Sequence, residues 1–209
     1  MHFTLHLIKQ RLLGILGRTA DIALFLGIVL IGGLGTSWYM VEAGSPLTTQ
    51  RIGPWSAWTA AARADADPYT RAHFARTGAL QLSSDVARTY VATVDSDGQK
   101  LLSSCAYGVE GREFNAAWWS ITVFDDRGRL ISNALQRYAF TSDTITLGSD
   151  GTFLVSLARD ARAGNWLPTG GAGKLAVMLT ILDARPSLQA TLQAGNAAAL
   201  PQVRRVQCR

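Results

Sequence analysis

The stretch that decides the fold is Ala117-Trp118-Trp119-Ser120-Ile121-Thr122-Val123-Phe124-Asp125-Asp126-Arg127-Gly128. Successive side chains of a β-strand point to opposite faces, so Trp119, Ile121 and Val123 would share one apolar face. The acidic residues and the glycine that follow are typical of a tight turn. The pattern therefore predicts a β-hairpin, with strands over 117–124 and 130–133 joined by a turn over 125–128.

Period-two patterns recur on both sides of this hairpin. Strands at short spacing, not alternating with helices, are typical of antiparallel all-β folds. A helix is predicted over 68–78, because Asp67-Pro68 reads as an N-cap followed by proline at the first helical position, and another over 187–195. The sequence thus predicts a mainly-β, antiparallel β-sandwich with short helices. Its further strands are expected over 89–94, 101–107, 144–147, 153–158 and 174–182, with a turn at 95–98 between the first two.

Near the N-terminus, residues 22–41 form one uncharged apolar run, long enough to cross a bilayer. Lys9, Arg11 and Arg18 precede the run, and no basic residue follows it until Arg51. The positive-inside bias predicts a cytoplasmic N-terminus and an exported C-terminal part. The alternative is a signal peptide cleaved after Ala43, but the run exceeds the roughly 7–15 apolar residues of a signal peptide.

The apolar run divides the chain into four parts. Residues 1–20 would be a cytoplasmic amphipathic segment, because Phe3, Leu5, Ile8, Leu12 and Ile15 recur at near-helical spacing. Residues 21–42 would be a transmembrane helix, 43–87 a membrane-proximal linker and helical region, and 88–209 a periplasmic β-sandwich domain. We therefore expect a single-pass protein of the bacterial inner membrane that contacts the lipid bilayer through residues 22–41.

The chain contains two cysteines, Cys105 and Cys208. An even number of cysteines in an exported domain favours a disulfide, which would close a loop of about 100 residues. Two unrelated free thiols are the alternative. With one histidine in the exported part, these cysteines do not suggest a metal site.

Few residues suggest catalysis or cofactor binding. The net charge of +5 is spread along the chain, with no basic cluster of the kind that binds nucleic acid. His73 lies on the predicted helix, where we expect it to be exposed and unable to complete a catalytic triad. The aspartate pairs Asp65/Asp67, Asp95/Asp97 and Asp125/Asp126 lie in predicted caps and turns, where aspartate is common for structural reasons. We expect no catalytic set, metal or cofactor.

Four motifs follow one another in order over residues 88–185. The first is the hairpin at 118–128, and an Asn…Arg-Tyr segment follows it at 133–138. An Asp-Gly turn precedes a strand at 150–153, and Asn165-Trp166-Leu167-Pro168 precedes the closing strand. Together these motifs resemble domain-of-unknown-function family 1214, in which the hairpin has the pattern WWSLTLYDxxG. One departure is Leu179–Leu182, where relatives often carry a basic residue, so any role of that residue does not transfer.

The resemblance implies a jelly-roll-like β-sandwich whose biochemical function is not established. Gly53-Pro54-Trp55, Asp67-Pro68-Tyr69, the two cysteines and the apolar run resemble a short, membrane-anchored branch of the family in the bacterial envelope. Longer relatives carry a second domain, of the family numbered 1254. The resemblance therefore implies that a separate protein with such a domain could be the partner of this chain.

The residues leave two interpretations of Asn165–Pro168 open. It would be a structural corner closed by a buried tryptophan, or one wall of a ligand-binding cleft. An arginine beside aromatic rings suits an anionic or carbohydrate-like ligand. The first functional expectation is an accessory or interaction module; the alternative is a small-ligand-binding domain, and an envelope carbohydrate-active enzyme is weaker. The candidate cleft residues are Trp118, Asn133, Arg137, Tyr138, Asn165 and Trp166.

Overall fold

The computed structural model describes residues 2–208, and the side chains of residue 14 and residues 16–208. The chain divides into two compact units, one ending at Ser45 and one beginning at Pro46. The first unit is helix α1, His2–Ala43. Within the described residues, its segment Leu16–Ala43 is the one helix long and apolar enough to cross a membrane, with a mean hydropathy of 1.8. None of that segment is buried. The predicted amphipathic pattern from Phe3 to Ile15 lies outside the described side chains.

The second unit contains ten strands and two α-helices. The larger sheet has the strand order β1-β2-β3-β9-β5-β6 and is antiparallel throughout. The smaller sheet has the order β10-β4-β7-β8, and its β7–β8 pair is parallel. The predicted mainly-β fold is confirmed, although the smaller sheet is mixed rather than purely antiparallel. The elements are β1 Thr49–Ile52, β2 Trp55–Trp58, α2 Pro68–Thr77, β3 Ala87–Ala92, β4 Cys105–Arg112, β5 Ala116–Asp125, β6 Ala139–Thr141, β7 Thr152–Ala158, β8 Asn165–Pro168, β9 Leu175–Ala184, α3 Pro186–Gln193, a 3-10 helix Ala197–Ala199, and β10 Gln202–Cys208.

One hydrophobic core combines residues of both sheets. The predicted inward face of β5 is confirmed, because Trp119, Ile121 and Val123 are all buried in this core. The ring of Trp119 stacks on Phe153 of the smaller sheet, with 5.0 Å between the ring centroids. Burying apolar surface between two sheets is the main favourable term in folding a sandwich of this kind.

Helix α2 begins and ends where the sequence predicts. The Asp67 carboxylate caps the helix by accepting hydrogen bonds from the backbone amides of Tyr69 and Thr70. Gly78 ends the helix with a φ of 65°, in the left-handed region that glycine enters at little cost. The predicted helix over 68–78 is therefore confirmed, and α3 lies within one residue of its predicted start at residue 187.

In both predicted hairpins the turn was predicted correctly, but the prediction that the second strand pairs with the first was wrong. The turn at 95–98 is present, but β3 belongs to the larger sheet and β4 to the smaller one, so only Val94 and Lys100 form a bridge. After the turn at 125–128 only Phe124 and Leu130 form a bridge, and β6 starts at Ala139. The sequence pattern detects extended segments, whereas their partners depend on contacts far along the chain.

The predicted strand over 144–147 is also absent from the described structure. The backbone of Thr146 is bound instead by a side chain, because its N–H donates to Asn165 Oδ1 and its carbonyl accepts from Asn165 Nδ2. A side-chain amide can satisfy one donor and one acceptor of the main chain in this way. The backbone of Thr146 is thus hydrogen-bonded without the segment joining a sheet.

Residues that the sequence assigned to the linker prove to be part of the sandwich. Strands β1 and β2 lie within the predicted linker and helical region 43–87, and they extend the larger sheet beyond β3. Trp55 on β2 is completely buried, and its Nε1–H donates to the carbonyl of Pro201 at 2.7 Å. The folded unit therefore begins at Pro46, not at residue 88.

The predicted disulfide between Cys105 and Cys208 is confirmed. The two residues lie directly opposite each other on β4 and β10. The bond joins residues 103 positions apart and attaches the last strand to the smaller sheet.

Candidate functional site

The six residues predicted to line one cleft come from the larger sheet, the smaller sheet and the loop between β5 and β6. Trp118 lies on β5 opposite Leu182, and it points away from the core because its neighbour Trp119 points into it. Asn165 and Trp166 lie on β8 of the smaller sheet. A side chain on the outer face of one sheet cannot reach a strand of the other, so the predicted cleft does not include Trp118.

Asn165 and Trp166 form part of an edge strand, not the predicted corner. Besides its two bonds to Thr146, the Asn165 amide donates to the carbonyl of Leu154 at 3.2 Å. The indole N–H of Trp166 donates to the carbonyl of Ala158 at 2.9 Å. Both side chains are more than nine-tenths buried. Their polar groups thus serve the structure of the sheet edge.

Within the loop Asn133–Tyr138, Arg137 is the residue whose side chain contacts the strand that carries Trp166. The Asn133 side chain holds the loop, with Oδ1 accepting from the Arg137 amide and Nδ2 donating to the Arg137 carbonyl. The exposed Arg137 guanidinium donates to the Trp166 carbonyl at 3.5 Å and lies 6.0 Å from the centre of the Phe140 ring. Tyr138, the last residue of this loop before β6, is half-buried.

Several carboxylates outside α1 accept hydrogen bonds within turns and helix caps. Asp125 accepts hydrogen bonds from the amides of Arg127 and Arg129 and pairs with the Arg129 guanidinium at 2.8 Å. The hydrogen bond from the Arg129 amide is the main reason that the pKa of Asp125 lies below its ordinary value. Asp95 is buried and forms an ion pair with Arg205 at 3.0 Å. These contacts engage the Asp125 and Asp95 carboxylates in the structure of their own turns.

His73 was predicted to be exposed, but it is half-buried. Its ring stacks on Trp58 of β2, with centroids 4.3 Å apart. Within residues 2–208, no group of three or more His, Cys, Asp and Glu side chains could hold a metal ion.

A cavity of about 420 Å³ lies at one end of the larger sheet, where the sequence did not predict one. Its floor is formed by apolar side chains on the outer face of three neighbouring strands. Val91 of β3 and Met178 of β9 are partners in the sheet, and Phe124 of β5 is the partner of Ala176 of β9. Each of these side chains is half-buried.

Charged side chains surround the mouth of this cavity, which we call the lysine cavity. Lys100 follows the turn at 95–98, Asp125 and Asp126 belong to the turn at 125–128, and Lys174 precedes β9. The chain contains three lysines against seventeen arginines, and Lys9 is the third lysine. Two depressions of about 590 and 650 Å³ flank Glu110, but their linings are more polar.

Sequence reasoning missed the lysine cavity because Lys100 and Lys174, which both line it, are more than 70 residues apart in the chain. One signal was present: of the only two lysines beyond the N-terminal segment, one lies between a predicted turn and a predicted strand and the other at the start of a predicted strand. That signal could not show that the two lysines meet. Their meeting depends on the pairing of β3, β9 and β5 in one sheet.

Comparison with known proteins confirms the resemblance inferred from the motifs. Residues 86–186 match the family model described as "Protein of unknown function (DUF1214)". The match includes the hairpin turn at 125–128, the Asn133–Tyr138 loop and β8. Among curated proteins, none matches the chain.

Two solved structures are similar to this chain. The VPA0106 protein from Vibrio parahaemolyticus is 19% identical with a TM-score of 0.59, over 84% of this chain and 43% of that chain. An uncharacterised protein from Burkholderia cenocepacia is 16% identical with a TM-score of 0.39, over 59% of this chain and 30% of that one. The Vibrio protein supports the fold alone. The match spans less than half the length of either solved chain.

Proposed function

We propose that this chain, whose residues 86–186 are a DUF1214 domain, is a membrane-anchored periplasmic accessory module of the bacterial envelope. It would act as a subunit or partner of another membrane or envelope protein. The observation that carries the proposal is the segment Leu16–Ala43, which is apolar, unburied and directly followed by a disulfide-linked folded unit.

The length and charge of α1 support a single-pass anchor. At 1.5 Å per residue, the 28-residue segment is about 42 Å long, more than the roughly 30 Å hydrocarbon core. Lys9, Arg11 and Arg18 precede the central apolar run, which favours a cytoplasmic N-terminus. The disulfide agrees with export to an oxidising compartment.

One observation favours an accessory role. The Asp125 and Asp95 carboxylates are bound within their own turns or by arginine, and the Asn165 and Trp166 side chains are bound to the backbone. We propose that a separate protein supplies a complementary domain, with a family-1254-like domain as the candidate that the family resemblance implies.

Topology can be tested with reporter fusions to the C-terminus of the full chain. Alkaline phosphatase should be active and green fluorescent protein dark, because the first folds only outside the cytoplasm and the second only inside. Replacing Lys9, Arg11 and Arg18 by glutamate should reduce the phosphatase signal. The opposite reporter pattern would overturn the orientation. An intact mass that starts at Gly44 would show cleavage and overturn the anchor.

The partner can be tested by purifying the tagged full chain from its own host in mild detergent. A protein recovered in stoichiometric amount should carry a family-1254-like domain. The control is the same purification of a chain in which α1 is replaced by a cleavable signal peptide. A partner that binds the sandwich would still co-purify with this chain, whereas a protein that is recovered only because it lies in the same membrane would not. A monomer with no co-purifying protein after reversible crosslinking in intact cells would refute the accessory role.

A further inference from the structure

We propose that the lysine cavity binds a single-chain anionic amphiphile, with the acyl chain on the apolar floor and the anionic head at Lys100 and Lys174. This inference does not depend on the proposed partner or on the orientation of α1. It rests on the apolar composition of the floor, on the two lysines at the mouth, and on the backbone contacts that join the segments carrying these lysines.

The floor is more apolar than the solvent-facing surface of an antiparallel sheet usually is. The outer face of an antiparallel sheet usually carries polar side chains. Here Val91, Phe124, Ala176 and Met178 lie together on that face, all partly accessible at the cavity. The volume of about 420 Å³ falls within the roughly 300–1,000 Å³ of small-ligand sites. Methionine at the centre of the floor can adapt its shape to a flexible chain.

The mouth presents cationic groups that the protein does not neutralise. In the described part of the chain, neither the Lys100 nor the Lys174 ammonium forms an ion pair or a hydrogen bond. Asp125 is bound by Arg129, which leaves Asp126 as the one unpaired carboxylate among the lining residues. Two lysines against one aspartate favour an anionic head group over a cationic or neutral one.

Backbone contacts hold the two lysines in adjacent segments. Leu102 and Lys174 form a β-bridge, and the Leu175 amide donates to the Leu101 carbonyl at 3.0 Å. The Ser103 amide donates to the Gly173 carbonyl at 2.7 Å. The lysine-bearing segments are thus joined before any ligand arrives, which reduces the entropy cost of binding.

The occupant is inferred to be a lipid-like molecule and not a peptide segment. A peptide in an extended groove needs main-chain partners at a free sheet edge. The floor strands β3, β9 and β5 are all interior strands of the larger sheet, so they offer none. An acyl chain needs only apolar contact, and its carboxylate or phosphate supplies the charge that lysine binds.

The test uses the full chain in amphipol and a hexadecanoic acid that carries a diazirine and an alkyne. After illumination, peptide mass spectrometry locates the adducts. We expect saturable labelling on peptides that contain 91–101, 124–128 or 174–178, competed by unlabelled hexadecanoate. Stronger competition by lysophosphatidylglycerol than by hexadecanoate would identify a lipid head group as the source of the anion. Competition by methyl hexadecanoate equal to that by the acid would overturn the assignment of the head group.

Separate variants test the charged mouth and the apolar floor of the cavity. Lys100→Gln/Lys174→Gln should weaken binding of the acid about tenfold, because each exposed ion pair contributes up to roughly a factor of five. Arg127→Gln is the matched control, because Arg127 lies in the turn at 125–128 that borders the cavity but is not one of the lining residues, and it should change binding less than twofold. Ala176→Trp should fill the floor and abolish labelling at the cavity while α1 is labelled as before.

Thermal unfolding of each variant checks that it folds. If Ala176→Trp does not fold, the proposal is still tested by the Lys100→Gln/Lys174→Gln variant and by the positions of the adducts. Adducts confined to α1, non-saturable labelling, or equal affinity of the lysine pair variant and Arg127→Gln would each overturn the proposal.

Discussion

Removing the disulfide should cost this protein a large part of its stability. The perturbation is Cys105→Ala combined with Cys208→Ser. Alanine suits position 105 because Cys105 is buried, and serine suits position 208 because Cys208 is exposed. The two residues are register partners, so β4 and β10 retain their backbone pairing in the variant.

The expected magnitude follows from the size of the loop that the bond closes. Cys105 and Cys208 are 103 residues apart, and the chain-entropy model gives about 4.7 kcal/mol for a loop of that size. The loss should shift the melting temperature by roughly 10–20 °C, at about 2–4 °C per kcal/mol for a unit of this length. The loss should appear in the unfolding of the sandwich, because both cysteines belong to it.

Tryptophan fluorescence during urea and thermal unfolding of the full chain in detergent measures this loss. Five of the six tryptophans lie in the sandwich, so the signal reports on that unit. Dithiothreitol should lower the wild-type stability to that of the variant and leave the variant unchanged. A loss below about 1 kcal/mol, or a wild type indifferent to reductant, would refute the argument that the loop entropy of this bond stabilises the fold.

Three further substitutions test other parts of the fold by urea unfolding. Trp55→Phe should cost about 1–3 kcal/mol, because the buried Pro201 carbonyl loses its donor, and an unchanged stability would contradict the contact. Asp67→Ala should cost about 0.5–2 kcal/mol, while Asp67→Asn keeps the cap. Burial raises the pKa of Asp67, but hydrogen bonds from Thr70 and Tyr69 hold it below its ordinary value. The stabilisation is therefore fully present above the ordinary value near 3.8 and is lost as the pH falls through the lower folded pKa, so the difference between the alanine variant and wild type should shrink below about pH 4. Asn165→Ala should cost about 2–4 kcal/mol because it leaves the backbone N–H and carbonyl of Thr146 without their partners, and an unchanged stability would contradict these contacts.

Features that depend on neighbouring residues could be predicted from the sequence. The Asp67 cap and its helix are confirmed because every contact involved lies within a few residues. The inward face of β5 was also predictable, since alternation along one strand decides which side chains share a face. The family followed from four motifs in order, and the disulfide followed from the number of cysteines.

The candidate site was less predictable because it depends on which strands are neighbours. Trp118 and Trp166 both lie in strong motifs, yet they belong to different sheets and cannot line one cleft. Trp55 lies in a short strand that local pattern did not distinguish from a linker, and its hydrogen bond to Pro201 joins residues 146 positions apart.

The sequence by itself determined the apolar helix, the capped helix and the extended segments, because each is stabilised by interactions within one element or one turn. Only the tertiary structure decided that β3 and β4 separate into two sheets and that Lys100 and Lys174 meet at one cavity. The physical reason is that β-pairing is non-local. A period-two pattern specifies two faces of a strand, but the choice of partner depends on burying those faces together with strands from distant parts of the chain.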